Sequence, residues 1–214
     1  MLIIFDLDGT LIDSARDLEI ATNQTRAHFG LPPLDPQLIH SYVGNGAAML
    51  VRRALGPDAD ENQVRDAVEF FVKYYRLHSL ANTKLYPGIQ DLVAELSANR
   101  HIMGVLTNKP VRISADILAG LGLGNYFVRV FGGDSFPDKK PDPIGINTLM
   151  KETSHSASDT WMVGDSGVDV QTARNAQVRV CGVAWGFQPY SFEKHPPDVV
   201  IQKPLQLLGV LSQA

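Results

Sequence analysis

The chain has 214 residues, of which 44% are hydrophobic and 20% are charged, a balance typical of soluble globular proteins and unlike that of disordered or fibrous ones. Its formal net charge is -4 and its Lys and Arg residues are scattered, so it lacks the basic footprint with which proteins bind a nucleic-acid backbone. Its longest apolar runs fall far short of the roughly 18 residues that suggest a membrane span. We therefore expect neither nucleic acid nor a membrane as a partner.

The cellular compartment is suggested by the cysteine usage and by the first residues. Cys181 is the only cysteine, which excludes an intrachain disulfide and fits a reducing compartment. Met1 leads directly into an apolar run, without a basic leader and with Asp6 close behind, which is not the pattern of a signal peptide. These features predict a cytoplasmic protein, and they leave both a monomer and a homodimer open.

The first predicted strand is the apolar run from Leu2 to Phe5, and a long interval without a convincing strand follows it. Helical patterns fill this interval, and Pro32-Pro33 and Gly56-Pro57 separate them. We predict a helical insert over residues 14–85, which divides an α/β domain into residues 1–13 and 86–214. The predicted helices of the insert run from Ala15 to Phe29, from Ala47 to Leu55 and from Glu61 to Leu80.

Beyond residue 85, short apolar runs alternate with helical patterns. Such alternation predicts an α/β fold with a parallel sheet covered on both faces. The predicted strands run from Ile102 to Leu106, Val128 to Phe131, Trp161 to Val163, Val178 to Ala184 and Val199 to Ile201. The predicted helices run from Asp91 to Ala98, Arg112 to Leu121, Pro143 to Glu152 and Val168 to Ala176.

Polar residues follow several of these strands at the point where each strand ends. Because ligands of open parallel sheets bind beyond the carboxyl ends of the strands, we expect these residues to converge on one site. In chain order they are Asp6-Leu7-Asp8-Gly9-Thr10, Thr107-Asn108-Lys109, and Gly164-Asp165 with Asp169 four residues further on. Lys139 and Lys140 precede a predicted helix start at Pro141-Asp142-Pro143.

The residue types at this edge indicate phosphoryl transfer. Crowded carboxylates repel one another unless a cation holds them, and an all-oxygen set favours Mg²⁺ over zinc. Lysine, threonine and backbone amides beside a metal are suited to neutralising a transferring phosphoryl group. A carboxylate can also be the nucleophile, forming an aspartyl phosphate, and two aspartates separated by one residue can divide the roles of nucleophile and proton donor.

Each motif taken alone has a more ordinary interpretation. A D-x-D after an apolar run is commonly a loop, and Thr107-Asn108 could begin a turn. Lys140 could be a solvated lysine near a helix start, and Asp165 could cap a helix. Their occurrence together, at the ends of successive strands, favours a functional site.

The four motifs resemble those of the haloacid dehalogenase superfamily, over nearly the whole chain. They are D-L-D-G-T at Asp6, T-N at Thr107, K-K-P-D-P at Lys139 and G-D-S-G-V-D at Gly164. The resemblance implies a Rossmann-like core with a helical cap inserted after the first motif. This agrees with the insert predicted over residues 14–85.

The resemblance also implies a role for each matched residue. Asp6 would be the nucleophile and Asp8 the general acid and base. Phosphoryl binding would fall to Thr107 and Asn108, with Lys140 stabilising the charge. Mg²⁺ would be held by Asp6, the backbone carbonyl of Asp8 and Asp165, with Asp169 among these ligands or directly behind them.

Within that superfamily an aspartate at position 8 favours phosphatase chemistry, because the ion-pumping ATPases carry Thr and the dehalogenases carry Tyr at the matching position. The stretches V-G-N-G-A-A-M-L-V-R-R-A-L at Val43 and G-G-D-S-F-P-D-K-K-P at Gly132 are similar to phosphoglycolate phosphatases. We therefore predict a Mg²⁺-dependent phosphatase that acts on a small phosphate ester, with 2-phosphoglycolate as the expected substrate.

Two further substrate-binding candidates lie in the predicted insert. Gly44 belongs to a Gly-Asn-Gly segment that fits either a flexible loop reaching the site or a turn at a helix start. Arg52 suits a substrate carboxylate, although most such arginines are solvated or in surface ion pairs.

Three other functions stay open. A phosphatase for another small phosphate ester would carry the same motifs. A phosphosugar mutase of the beta-phosphoglucomutase type would return the phosphoryl group to a sugar, so that release of inorganic phosphate separates it from a phosphatase. A non-catalytic binding protein is disfavoured, because the motif aspartates and Lys140 are all intact.

Overall fold

Six parallel strands form the central sheet within residues 1–213, the part of the chain that this computed structural model describes. They are β1 (Leu2–Phe5), β4 (Ile102–Leu106), β5 (Arg129–Phe131), β6 (Thr160–Gly164), β7 (Arg179–Val183) and β8 (Val199–Ile201), and they lie in the order β5-β4-β1-β6-β7-β8. Each coincides with an apolar run predicted to be a strand, so the α/β prediction is confirmed.

The position of β1 explains where a ligand can bind. β1 lies between β4 and β6, with Leu2 paired to Ile102 on one side and to Thr160 on the other. After β1 the next strands along the chain, β4 and β5, lie on one side of β1. The later strands β6, β7 and β8 lie on its other side. A crevice forms beyond the carboxyl ends of parallel strands where the order reverses in this way, which here is between β1 and β6.

Helices cover both faces of the sheet, because successive side chains of each strand point to opposite sides. Ile3 and Phe5 of β1 belong to one hydrophobic cluster, whereas Leu2 and Ile4 belong to a second cluster on the other face. The covering helices are α5 (Ile89–Ala98), α6 (Val111–Gly120), α7 (Ile144–Thr153), α8 (Gly167–Asn175) and α9 (Gln206–Ser212). None of the helices within residues 1–213 has the length and apolar content needed to cross a bilayer.

Four helices occupy the interval predicted as an insert. They are α1 (Ala15–His28), α2 (Pro36–Tyr42), α3 (Ala47–Leu55) and α4 (Glu61–His78), and they lie between the short strands β2 (Ile12–Asp13) and β3 (Lys84–Leu85), which pair antiparallel. The prediction of no strand over residues 14–85 was wrong for β3, since a two-residue strand is too short to show an alternating pattern. Neither α2 nor α9 was predicted, and both have only seven residues.

A buried aspartate joins the two ends of this helical insert. The Asp17 carboxylate, in the first turn of α1, accepts hydrogen bonds from the backbone N–H groups of Asn82 and Thr83 at 2.8–3.1 Å and from both of their side chains at 2.8 Å. Burial alone would raise the pKa of Asp17, but these hydrogen bonds outweigh it and hold the pKa below its usual value. The carboxylate therefore fixes the start of α1 to the segment that leaves the insert.

We expect Asp17→Ala to lower the free energy of unfolding by about 2–4 kcal/mol, because it leaves the N–H groups of Asn82 and Thr83 without an acceptor. Urea denaturation followed by circular dichroism measures the change. Asp66→Ala is the matched control, since Asp66 is exposed on α4 and its loss should change the free energy by no more than about 0.5 kcal/mol. Equal stability of the two variants would show that Asp17 does not hold the insert.

Candidate active site

Asp6 is the first residue beyond β1 and lies at the bottom of the crevice. Its backbone N–H continues the sheet by donating to the Val163 carbonyl at 2.9 Å. Its Oδ1 accepts a hydrogen bond from the Leu7 N–H at 2.7 Å and lies 2.9 Å from Lys140 Nζ. Only 6% of the residue is exposed. These contacts fix the direction of the carboxylate while the protein excludes most of the solvent around it.

Two aspartates that follow β6 lie beside Asp6. One oxygen each of Asp6, Asp165 and Asp169 lies within 4.8 Å of the others, and all three residues are buried. Asp169 Oδ1 accepts a hydrogen bond from Lys140 Nζ at 2.6 Å, and its Oδ2 accepts hydrogen bonds from the backbone and hydroxyl of Ser166, which caps α8. The strand ends thus gather three carboxylates and one lysine, as the motifs predict.

The pKa shifts in this cluster show that it is unfavourable to bring its carboxylates so close together in the absence of a cation. Burial, reinforced by the Asp169 carboxylate, raises the pKa of Asp6 to about 6 although Lys140 opposes the rise. Burial and the neighbouring carboxylates also raise the pKa of Asp165 well above its usual value. Burial alone would lower the pKa of Lys140, but Asp169 and Asp6 outweigh it and raise that pKa. The cluster is therefore short of positive charge.

This set of donors fits a divalent cation. Three carboxylates against the single ammonium of Lys140 leave two negative charges, and every donor is an oxygen. Hard cations such as Mg²⁺ prefer oxygen ligands of this kind. The side chain of Asp8 is not part of the cluster, so a contribution of Asp8 to a metal would come from its backbone carbonyl, as the motif resemblance implies.

Glycines allow the chain to pass close to Asp165. Gly9 has a φ of +78°, and a Cβ at this position would lie 2.3 Å from Asp165 Oδ2. A Cβ on Gly186 would lie 2.2 Å from the Cβ of Asp165. The segment after Gly186 donates two backbone hydrogen bonds to Asp165 Oδ2, from Phe187 at 2.6 Å and from Gln188 at 3.2 Å. No side chain larger than hydrogen fits at either glycine without displacing this carboxylate.

Asp8 faces a different set of partners. Lys109 Nζ donates to Asp8 Oδ1 at 2.8 Å and to its Oδ2 at 3.0 Å, and Ser14 donates its hydroxyl to Oδ1. The same ammonium donates to the Tyr75 hydroxyl at 2.7 Å. Burial alone would lower the pKa of Lys109, but Asp8 and Tyr75 outweigh it and raise that pKa, so the lysine stays charged. Asp8 is thus paired with a cation that Asp6 does not share.

Thr107 and Asn108 come directly after β4 and are both buried. The Thr107 hydroxyl accepts a hydrogen bond from the Lys109 N–H at 3.3 Å. The Asn108 amide donates to the carbonyls of Gly44 and Lys140, at 2.9 and 3.1 Å, while its Oδ1 has no partner among the described residues. Asn108 therefore ties the loop before α3 to the loop that carries the buried lysine.

Three side chains from outside the insert donate hydrogen bonds to consecutive backbone carbonyls of this loop, residues 43–45. Gln188 donates to the Val43 carbonyl at 2.6 Å, Asn108 to the Gly44 carbonyl, and Lys139 to the Asn45 carbonyl at 2.8 Å. The three donors come from three separate loops at the carboxyl edge of the sheet. The arrangement closes the insert over the crevice and leaves a cavity beneath it.

The cavity has a polar floor and an apolar wall. The polar residues on its floor are Asp6, Asp8, Thr107, Asn108, Lys109 and Asp165. Most of the wall comes from Leu18, Val43, Leu50, Phe71, Ile113 and Phe187. An apolar wall around charged groups lowers the local dielectric, which strengthens the interactions of those charges with a bound anion.

Comparison with known proteins identifies the family. The sequence model of the haloacid dehalogenase-like hydrolases matches residues 3–183. The chain belongs to this family. Hydrolases of the family generally act through an aspartate nucleophile with Mg²⁺, and the buried aspartates of this chain lie where such a site is expected.

Several relatives are similar in sequence to this hydrolase over nearly its full length. A phosphoglycolate phosphatase of Vibrio parahaemolyticus is 37% identical over 220 residues, covering 99% of this chain and 96% of the relative. Phosphoglycolate phosphatase 1 of Pseudomonas aeruginosa is 38% identical over 221 residues, covering 100% of this chain and 80% of the relative. The crystal structure of a predicted phosphoglycolate phosphatase from Haemophilus somnus superposes with a TM-score of 0.92 at 29% identity, covering 98% of this chain and 96% of that one.

The structure brings together most of the residues predicted for the site of this hydrolase. Gly44 lies at the cavity, where its carbonyl contacts Asn108. Arg52 does not line the cavity and instead forms a surface ion pair with Glu61 at 2.5 Å, which is the ordinary interpretation of such an arginine. This placement gives no support to Arg52 as a substrate ligand.

Three residues of the site were not assigned a role from the sequence. Lys109 directly follows the Thr107-Asn108 motif, and this position is the feature of the sequence that could have marked it as a site residue. Tyr75 carries no motif, and it is buried like a packing residue, yet it lines the cavity and its hydroxyl contacts Lys109. Gln188 follows no strand-end motif, and no signal in the sequence marks it.

Proposed function

We propose that this hydrolase converts 2-phosphoglycolate to glycolate and inorganic phosphate through an aspartyl phosphate on Asp6. The observation that carries the proposal is the Asp6 carboxylate itself, which is buried, is held by Lys140 and the Leu7 amide, and lines the cavity. The names of its full-length relatives support the choice of substrate. Its cytoplasmic location remains a prediction from the sequence.

In the first step the Asp6 carboxylate attacks phosphorus, and the bond between phosphorus and the glycolate oxygen breaks. The departing oxygen takes a proton from Asp8, which lines the same cavity and enters this step as the carboxylic acid. In the second step water attacks the aspartyl phosphate and gives its proton to Asp8, so inorganic phosphate leaves and Asp6 is regenerated. Asp8 returns to its starting protonation state, which makes one residue sufficient for both proton transfers.

Thr107, Asn108 and Lys140 are proposed to receive the phosphoryl group during these steps. The Oδ1 of Asn108 has no partner among the described residues, so this side chain has an acceptor left for a bound group. Lys140 is held at 2.9 Å from Asp6 Oδ1, so its charge lies beside the carboxylate that is to attack. Charge of this kind stabilises the transition state because it is in place before the reaction.

The metal is proposed to be Mg²⁺, held by Asp6, Asp165 and the backbone carbonyl of Asp8. When bound, it would supply the positive charge that allows a phosphate dianion to approach the carboxylates. Both oxygens of Asp169 already accept hydrogen bonds, from Lys140 and Ser166. These bonds support a place for Asp169 directly behind the metal ligands, where it positions Lys140.

Residues 14–85 are proposed to act as a cap that closes over the substrate. The contacts of residues 43–45 with Gln188, Asn108 and Lys139 support this role, because they join the insert to three loops of the core. Closure of the cap excludes water during the first step, and its reopening admits water for the second.

A screen of small phosphate esters, with Mg²⁺ and with a chelator, tests the proposed function. We expect kcat/KM to be highest for 2-phosphoglycolate, inorganic phosphate to be released once per ester consumed, and activity to disappear with the chelator. Failure to release phosphate from any monoester would contradict the phosphatase assignment, and return of the phosphoryl group to a sugar would identify a mutase. Full turnover after thorough chelation would contradict the metal requirement.

We expect Asp165→Asn to raise the melting temperature of the metal-free protein, because it removes a buried carboxylate whose ionised form the neighbouring carboxylates repel, while an amide oxygen can still accept from Phe187 and Gln188. A gain of about 1 kcal/mol corresponds to roughly 2–4 °C for a chain of this size. Wild-type protein should be stabilised by Mg²⁺, by about 2.7 kcal/mol at 100 times Kd, whereas the variant should respond weakly. An unchanged Mg²⁺ response would show that Asp165 is not a ligand.

A further inference from the structure

The proposed substrate carries a second anionic group that the phosphoryl-binding residues do not account for. The carboxylate of phosphoglycolate would enter a closed cavity, and a carboxylate taken out of water needs a cation or several hydrogen-bond donors. Lys109 is the only described residue with a cationic side chain that lines this cavity. The inference that follows rests on the proposed function.

The other cations near the cavity are committed elsewhere. Lys140 contacts Asp6 and Asp169, at 2.9 and 2.6 Å, and serves the phosphoryl end. Lys139 is exposed and donates to the Asn45 carbonyl. Much of the remaining wall is apolar and offers a carboxylate no partner. Lys109 is the remaining cation that lines the cavity, and a substrate carboxylate would share its ammonium with Asp8.

Tyr75 places a second donor beside that ammonium. Its hydroxyl accepts a hydrogen bond from Lys109 Nζ at 2.7 Å, and its own proton has no acceptor among the described residues. Only 2% of Tyr75 is exposed, and the residue is among those that line the cavity. Burial, opposed by Lys109 and reinforced by Asp8, raises the pKa of Tyr75 to about 12, so the hydroxyl keeps its proton.

The lysine and the tyrosine come from different parts of the fold. Lys109 follows β4 in the core, whereas Tyr75 lies on α4 of the insert. The pair therefore assembles only when the insert is closed over the crevice. Asp8 completes the group by holding the ammonium with both carboxylate oxygens.

We propose that Lys109 and Tyr75 form the binding site for the carboxylate of the substrate. The ammonium supplies the charge, the hydroxyl donates its unpaired proton, and the carboxylate joins the core to the closed insert. The site selects small phosphate esters that carry an acidic group on the leaving side over neutral esters of similar size. Because Tyr75 belongs to the insert, only an acidic ester supplies this link between insert and core.

Tyr75→Phe tests the proposal with the smallest change to the fold, because it removes one hydroxyl and keeps the ring. The measurement is the ratio of kcat/KM for 2-phosphoglycolate to kcat/KM for 2-hydroxyethyl phosphate, a neutral ester with a similar alkyl leaving group. We expect Tyr75→Phe to lower this ratio about tenfold, the usual effect of losing one hydrogen bond to a charged group. Lys109→Gln should lower it at least as far.

Tyr74→Phe is the matched control, since Tyr74 is the neighbouring tyrosine of α4 and does not line the cavity. It should leave the ratio unchanged. Both active-site variants could also disturb Asp8, but such an effect would reduce the hydrolysis of the two esters equally, because both leaving oxygens need the same proton. Equal losses for both esters in Tyr75→Phe and Lys109→Gln would overturn the proposal.

The wild-type enzyme separates a failure of this inference from a failure of the proposed function. If it hydrolyses both esters equally well, both the substrate assignment and the carboxylate site are wrong. If it prefers 2-phosphoglycolate and Tyr75→Phe retains the full preference, the carboxylate site alone is wrong.

Discussion

Asp6→Asn is expected to abolish turnover, with a loss on the order of 10⁴–10⁶-fold in kcat, because it replaces the attacking carboxylate with an amide. No phospho-enzyme should form. The substitution is nearly isosteric, and the carboxylate that it removes has its pKa raised to about 6, so the fold should not suffer from the loss of charge. Rapid-quench experiments with ³²P-labelled ester measure the covalent label directly.

Asp13→Asn is a suitable control for this variant. Asp13 lies in the same N-terminal segment, does not line the cavity, and accepts the N–H of Ala15 with an oxygen that asparagine also has. The control should retain wild-type turnover and labelling. Covalent phosphate on the Asp6→Asn variant would mean that another residue is the nucleophile.

Asp8→Asn is expected to fail in a different way, with a loss of about 10²–10⁴-fold in kcat. The nucleophile and the backbone carbonyl of residue 8 remain, but the proton donor and base is missing. The loss of phospho-enzyme formation should be smallest for an activated aryl phosphate, whose leaving group needs little protonation. Because water attack still lacks its base, the phospho-enzyme should then accumulate.

The partners of Asp8 make this comparison informative. The oxygen of an asparagine can still accept from Lys109 and Ser14, so the lysine keeps a partner in the variant. A quench time course with an aryl and an alkyl phosphate measures formation and decay of the label separately. An equal defect for both leaving groups would show that Asp8 does not protonate the leaving oxygen.

The core of the fold could be predicted because its signals are local. The three central strands β1, β4 and β6 are largely apolar runs that are almost entirely buried, as expected for strands covered on both faces, and helical patterns lie between most of the strands. In a parallel sheet the residues that directly follow the strands all lie at the same edge, the carboxyl edge. The convergence of Asp6, Asn108 and Asp165 therefore followed from their positions after β1, β4 and β6.

The contacts that close the site could not be predicted in the same way. Tyr75 meets Lys109 across 34 residues, and Gln188 meets Val43 across 145, so no local pattern relates the partners. Tyr75 also looks like any core aromatic from its spacing, because its ring does pack in the core. Arg52 shows the reverse case, since its chemistry suits a substrate carboxylate but its position on α3 places it in a surface ion pair with Glu61.

The central claim is that the phosphoryl group is carried by Asp6, and the most direct measurement locates the covalent phosphate. Asp8→Asn enzyme would be loaded with an aryl phosphate, quenched in acid and reduced with borohydride, which converts an aspartyl phosphate to homoserine. Tandem mass spectrometry of the peptide that spans residues 1–16 then identifies the modified position. The account predicts homoserine at position 6, and homoserine at position 13, or an unmodified peptide from enzyme that carries the label, would contradict it.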